Sequence, residues 1–377
     1  MPFPEKSRAR RGRSEGSIYQ RKDGLWTASA SLGVHAGKRI RRDVYGHTKA
    51  EVAAKLRKVQ ASDGQLGQSL TLTVGEWLER WLTLIADTIE PNTLAPYTRH
   101  VRLHIVPRIG GAKLVRLRPV DVESLYARLL REGTSAAMVR KIATTLSVAM
   151  NHAVRSQLVP SNPTIGVRRP KAVKPEIEVL DAEQATTLVQ AAKSHRLGSL
   201  FLLMLDAGLR PGEALALTWK DVDFTAGRIS VTKSLEEIDG RFRVKEPKTG
   251  KGVRTIDVTA ATIDALHAHR KAMLKEGRAA GGLVFVNTRG GFLSIGNLHR
   301  NTFKPLLKAA GLPSVSLYAL RHTCATLLLA ANVNPKIVSE RLGHSSITIT
   351  LDTYSHCLPT MQRGAADVLS KVLGGKL

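Results

Sequence analysis

Two stretches that can join no regular element interrupt this chain, and they constrain its fold more than any other feature. Gln60-Ala-Ser-Asp-Gly-Gln-Leu-Gly-Gln is polar and glycine-bearing, and Ser161 to Pro175 carries three prolines and four Lys or Arg. Such segments bury little apolar surface and sustain no helix, so they act as linkers. At 377 residues the chain also exceeds the usual size of one domain. The expectation is a multidomain, mainly α protein with small β-sheets, divided as 1–65, 70–165 and 176–377.

Local patterns fill each unit. Gly16-Ser-Ile-Tyr-Gln, Leu25-Trp-Thr-Ala-Ser-Ala-Ser-Leu and Lys38-Arg-Ile-Arg-Arg-Asp-Val-Tyr predict three short strands separated by Lys22-Asp-Gly and His35-Ala-Gly turns. Thr48-Lys-Ala-Glu51 is a capping box before Val52, Leu56 and Val59, and predicts a helix. A second capping box, Thr73-Val-Gly-Glu76, leads into Trp77, Leu78, Trp81, Leu82 and Ile85 at helical spacing. Further helices are predicted near 93–105, 119–131 and 135–157, the last with an apolar stripe from Val139 to Ala153. The middle unit therefore reads as all-helical. The third reads as mixed α+β: helices dominate, and Arg228 to Val231, Arg241 to Lys245 and Val253 to Val258 are expected to form one small antiparallel sheet.

Charge narrows the function. Lys and Arg number 57 against 31 Asp and Glu, a formal net of +26, in a chain whose 43% hydrophobic residues suffice for ordinary cores. A polyanion, nucleic acid first, is the expected partner. The excess is concentrated: the first 42 residues hold eleven bases against three acids, a net of +8. There Arg21, Lys22, Trp26, Lys38, Arg39, Arg41 and Arg42 interleave bases with aromatics on strands that suit a DNA groove. On the helical unit Arg99, Arg140 and Lys141 are candidate phosphate contacts. Two cysteines, Cys324 and Cys357, make no disulfide framework and no zinc pattern. The longest apolar run, Leu197 to Leu205, falls short of the ~18 residues of a membrane span. Met1 to Arg13 lacks the apolar core of a signal peptide. A cytoplasmic protein without membrane partners is expected.

Four segments of the third unit carry chemistry: Gly208-Leu-Arg-Pro-Gly-Glu213, Glu246-Pro-Lys-Thr-Gly250, Leu317-Tyr-Ala-Leu-Arg-His322, and Leu342-Gly-His-Ser345 followed by Asp352-Thr-Tyr-Ser-His356. Arg210 and Arg321 have the planar fork that suits phosphate oxygens. A lysine on a hairpin suits protonation of a leaving oxygen. A tyrosine hydroxyl surrounded by cations becomes a usable nucleophile. No acidic cluster suited to Mg²⁺ is evident, so neither metal nor cofactor is expected. Taken singly, Arg210 with Glu213 also reads as a helix salt bridge, and His344 after a glycine as a helix-end contact.

The ordered set resembles the tyrosine recombinases, the site-specific recombinases that include the phage and conjugative-element integrases of the lambda integrase type. The matching residues are Arg210 with Glu213, Lys248 in Pro247-Lys-Thr, Arg321-His322, Leu342-Gly343-His344 and Tyr354. The resemblance implies a three-stranded arm-binding module, a helical core-binding domain and a catalytic domain. It implies that Tyr354 attacks the scissile phosphate to form a 3′-phosphotyrosyl bond, and that Lys248 protonates the 5′ oxygen. Arg210, Arg321 and His344 would hold the phosphate, with Glu213 and His322 supporting them. It also implies core and arm attachment sites on duplex DNA and a homotetramer, with an excisionase and a DNA-bending host protein as candidate partners. The tail from Met361 to Leu373 would dock on a neighbour or pack on its own domain. One departure is plain: Tyr318 stands where the family's commoner pattern has histidine, and it is kept as a catalytic candidate because a phenol can still hydrogen-bond to the phosphate or to Tyr354. A type IB topoisomerase and a DNA-binding protein without catalysis remain as alternatives.

Overall fold

A tight turn around Gly24, in the left-handed region at φ +82°, returns strand β1 (Ile18–Gln20) onto β2 (Trp26–His35), which pairs in turn with β3 (Lys38–Gly46). The sheet is antiparallel in the order β1-β2-β3. Helix α1 (Lys49–Ala61) closes one face, burying Ala28 with Val52 and Leu56. At its start Thr48 Oγ1 accepts the Glu51 N–H at 3.2 Å, and the Glu51 carboxylate accepts the His47 N–H at 3.0 Å, one residue before the cap. In this computed structural model the described residues are 18–21, 23–35, 38–61, 71–172, 177–238, 240–246, 252–278, 282–354 and 359–373; the side chains of 30–42, 58–61, 359–363 and 365 fall outside the description. The chain divides into two units, Met1–Lys174 and Pro175–Leu377.

The helical part of the first unit begins at α2 (Val74–Ile85), whose capping box is reciprocal: Thr73 Oγ1 accepts from Glu76 N at 3.2 Å and Glu76 accepts from Thr73 N at 2.8 Å. Helix α3 (Pro91–Arg99) runs through a π segment (His100–Ile105) into α4 (Val106–Ile109). Pro107 has no N–H to return to Leu103, and the Arg108 guanidinium takes up the Leu103 and His104 carbonyls at 3.1 and 2.9 Å. Helices α5 (Pro119–Arg131) and α6 (Ala136–Arg155) complete the bundle. The α6 stripe is fully buried at Val139, Ile142, Leu146 and Met150. Trp77 is pinned by its indole N–H to the Ala149 carbonyl at 3.2 Å, and Trp81 stacks on Tyr97.

The second unit is organised around α8 (Gly198–Ala207), the apolar run noted in the sequence, with α7 (Ala182–Ala192) beside it. A helix apolar nearly all round is a core helix, and Leu200, Phe201, Leu203 and Met204 are buried with Phe285 and Phe303. The elements that follow are α9 (Pro211–Ala216), β4 (Val222–Asp223), β5 (Arg228–Val231), β6 (Ser234–Ile238), β7 (Arg241–Lys245), β8 (Arg254–Asp257) and α10 (Ala260–Lys275). Beyond them come α11 (Ile295–Leu298), α12 (Lys304–Ala309), α13 (Leu317–Ala330), α14 (Pro335–Leu342), α15 (Ile347–Tyr354) and α16 (Pro359–Val372). No helix among the described residues is long and apolar enough to cross a membrane.

The single sheet expected here is in fact two. Strands β4, β5 and β8 form one, while Arg241–Lys245 pairs with Ser234–Ile238 in a separate hairpin. The β6 segment Ser-Leu-Glu-Glu-Ile does not read as a strand because its adjacent glutamates break the apolar alternation. In the fold Glu236 is buried and ion-paired to Lys245, which makes a glutamate tolerable there.

Candidate active site

Helix α8 stops at Gly208, in the left-handed region at φ +62°, where an added Cβ would lie 2.6 Å from Leu342. That turn hands the chain to Arg210, which precedes α9. The Glu213 carboxylate, one turn in, accepts the Arg210 backbone N–H at 2.9 Å and its Nη1 at 2.6 Å. The same carboxylate accepts from Arg254 Nη2 of β8 at 2.8 Å, and Glu213 is only 4% exposed. One buried anion thus fixes two arginines. Arg210 Nη2 reaches the Gly343 carbonyl at 3.3 Å, tying the start of α9 to the end of α14.

Arg321, on α13, is 2% exposed and donates from Nη1 to the Gly208 carbonyl at 2.8 Å. Its Nη2 has no hydrogen-bond partner among the described residues. A buried unpaired guanidinium nitrogen is costly, and an incoming oxyanion would relieve that cost. Helix α14 ends at Gly343, φ +67°, and His344 follows, its backbone N–H returning to the Ser339 carbonyl at 3.0 Å. His344 Nδ1 lies 2.7 Å from Thr350 Oγ1, which orients the ring. Tyr354 ends α15, 1% exposed, with its hydroxyl 2.7 Å from His322 Nδ1. Arg210, Tyr318, Arg321, His322, His344 and Tyr354 all line one cleft of about 350 Å³.

The electrostatics suit an anion. Burial pushes the Arg321 guanidinium down to about 10, with the Arg210 charge adding to the effect. Burial also works against the Arg210 charge, but Glu213 and the Tyr318 phenol more than offset it and hold its pKa above the ordinary arginine value. His344 is driven down to about 4, first by burial and then by Arg321 and Arg210. His322 is lowered by burial and by Arg321. His344 is therefore neutral at pH 7, His322 is shifted in the same direction, and the fixed cations of the cleft are guanidinium groups.

Lys248 lies outside the described residues, as do Lys22 and the side chains of Lys38, Arg39, Arg41 and Arg42. Arg21 pairs with Asp23 at 3.4 Å and sits over the Tyr45 ring, while Trp26 is partly buried under Lys49. Arg99, Arg140 and Lys141 are exposed on the helical bundle, Arg140 also donating to the Pro170 carbonyl at 3.3 Å. Arg254 stands outside the motifs visible in the sequence. Its only signal was a basic residue opening a strand, a common occurrence. The bond between His322 and Tyr354, residues 32 positions apart, has no local sequence signal either. Among the described residues no three His, Cys, Asp or Glu side chains are grouped as metal ligands.

Residues 178–361 match the phage integrase family, and residues 73–130 match its N-terminal SAM-like domain. The chain belongs to the phage integrase family, the tyrosine recombinases. Its activity is site-specific DNA recombination. A tyrosine recombinase XerC-like protein of Caldanaerobacter subterraneus subsp. tengcongensis is 30% identical over 362 residues, covering 89% of this chain and 92% of the relative. In fold, the chain is similar to the Tn1549 transposon integrase in complex with a circular intermediate DNA (TM-score 0.68, 23% identity, 79% of this chain and 99% of that one). It is also similar to a lambda integrase tetramer bound to a Holliday junction (TM-score 0.59, 22% identity, 88% of this chain and 96% of that one).

Proposed function

We propose that this recombinase integrates or excises a mobile element by cleaving each DNA strand with Tyr354. The phenol oxygen attacks the scissile phosphorus and leaves a 3′-phosphotyrosyl bond and a 5′-hydroxyl. Arg210 and Arg321 clamp the non-bridging oxygens, where charge accumulates in the transition state. His344, neutral, donates a hydrogen bond to one of them, and Glu213 holds Arg210 in place. Lys248 is assigned the proton for the 5′ oxygen. Because the ester retains the phosphodiester energy, the 5′-hydroxyl of a partner duplex reverses the step without ATP. The observation that carries this reading is that Tyr354 and Arg321, whose Nη2 has no partner among the described residues, line one cleft with Arg210 and His344.

The same reading assigns residues 1–65 to arm sites, 70–165 to the core site and 176–377 to catalysis. Duplex attachment sites are the substrate and a homotetramer the working form, supported by the fold shared with the lambda integrase tetramer. An excisionase and a DNA-bending host protein would set direction. Substituting Tyr354→Phe tests the assignment, because it removes one hydroxyl and leaves the clamp. Binding to a core-site duplex should stay near wild type, and no denaturant-resistant adduct should form on a nicked suicide substrate. An adduct in this variant would place the nucleophile elsewhere, Tyr318 being the nearest alternative.

A further inference from the structure

We propose that His322 is the base that takes the Tyr354 proton as the phenol attacks phosphorus. This rests on the assignment of Tyr354 as nucleophile and goes beyond it, since that assignment leaves the proton without a destination. The two side chains already share a hydrogen bond of 2.7 Å between Tyr354 Oη and His322 Nδ1. They come from different helices, α15 and α13, whose packing holds Tyr354 at 1% exposure. For the phenol to donate, Nδ1 must carry the lone pair and Nε2 the hydrogen, which is a neutral imidazole.

The other groups in the cleft fit the task less well. Tyr318, at the position where the family's commoner pattern has histidine, is a phenol, and a neutral phenol is a poor proton acceptor near pH 7. Its ring lies 5.9 Å from that of His322, one turn earlier on the same helix, and it is 43% exposed. His344 is turned by its own Nδ1 toward Thr350. Arg321 stays cationic. The groups facing His322 are therefore Arg321 and Tyr318 from its own helix, Tyr354 from α15, and His344 after α14. Burial and the Arg321 charge lower the His322 pKa, which favours the neutral form that a base needs before it acts. A DNA phosphate bound between Arg321 and Arg210 would offset that charge and raise the basicity of the imidazole as the substrate arrives.

The Tyr354 O–H bond breaks, its proton passes to His322 Nδ1, and the oxygen pair forms the bond to phosphorus. The P–O5′ bond breaks with its pair on O5′, which is protonated by the acid assigned to Lys248. On rejoining, the imidazolium returns its proton to the departing phenolate.

The test is single-turnover adduct formation on a suicide substrate from pH 5.5 to 9.5, comparing wild type with His322→Asn, whose Oδ1 can accept the phenol hydrogen bond but cannot hold the proton. The variant should be slower by about 10² to 10⁴-fold at pH 7, the usual range for a lost general base. Its rate should climb with pH toward ionisation of the phenol itself, while the wild-type rate levels off. On a substrate with sulfur in place of O5′, which leaves without protonation, Lys248→Ala should match wild type and His322→Asn should stay slow. Wild-type rates for His322→Asn at every pH would reduce His322 to a positioning residue, and rescue by sulfur would move it to the leaving-group side. Either result overturns the proposal. An adduct from Tyr354→Phe would instead overturn the nucleophile assignment on which it rests. Core-site affinity reports folding of each variant, and His322→Gln replaces Asn if that variant does not bind.

Discussion

Tyr318 is where the residue scale yields its clearest comparison. Its phenol supports the Arg210 charge, and its ring lines the cleft beside His322. If it acts as one neutral hydrogen-bond partner in a preorganised site, Tyr318→Phe should slow cleavage by about 10 to 100-fold. Arg321→Ala removes a charge from the proposed phosphate clamp and should cost more, about 10² to 10³-fold, the scale of a lost oxyanion donor. Single-turnover cleavage of one suicide substrate orders the two, and equal rates for Tyr318→Phe and wild type would leave Tyr318 as a packing residue. Arg210, Arg321, His344 and Tyr354 were legible in the sequence because each sits in a short motif beside a glycine, a proline or another polar anchor. Arg254 was not. Its role is to share Glu213 with Arg210, a relation between residues 41 positions apart that no local spacing encodes.

At the scale of elements, what could be read was whatever local chemistry decides. The Thr73 capping box, the α6 stripe and the apolar run of α8 each follow from side chains within a few turns of one another. The misread hairpin shows the limit, because β6 is a strand only by virtue of its partner: Glu236 is tolerated inside because Lys245 comes to meet it across the ladder. The end of α14 joins both kinds of information. Gly343 is legible as a helix stop, but only the fold shows an added Cβ 2.9 Å from Arg254 Nη1. Gly343→Ala should therefore lose about 1 to 2 kcal/mol from the left-handed backbone alone. It should also displace the guanidinium that Glu213 holds. Thermal melting gives the first effect and adduct formation the second; a variant that melts and cleaves like wild type would mean that the loop relaxes freely.

For the whole molecule, the testable statement is that its DNA-contacting work is divided along the chain. Deleting residues 1–65 should abolish recombination between full attachment sites while leaving cleavage of a short core site. It should also make the salt dependence of binding shallower, since each lost phosphate contact removes a released counterion. Equal recombination by truncated and full-length protein on full sites would sink the arm-site assignment. The boundary between the two units falls in the Pro-rich, basic stretch that composition marks as a linker, whereas strand pairing within the second unit was not legible, because it depends on long-range register. The burial of Tyr354 bears on the fate of a chromosome. If Tyr354 is the proposed nucleophile, its ester forms where solvent barely reaches the side chain, which would limit the hydrolysis that leaves a strand permanently broken. A 5′-hydroxyl delivered by the DNA itself competes with very little water. On the proposed assignment, the interval in which the DNA is held together only by a protein side chain should end in ligation more often than in damage.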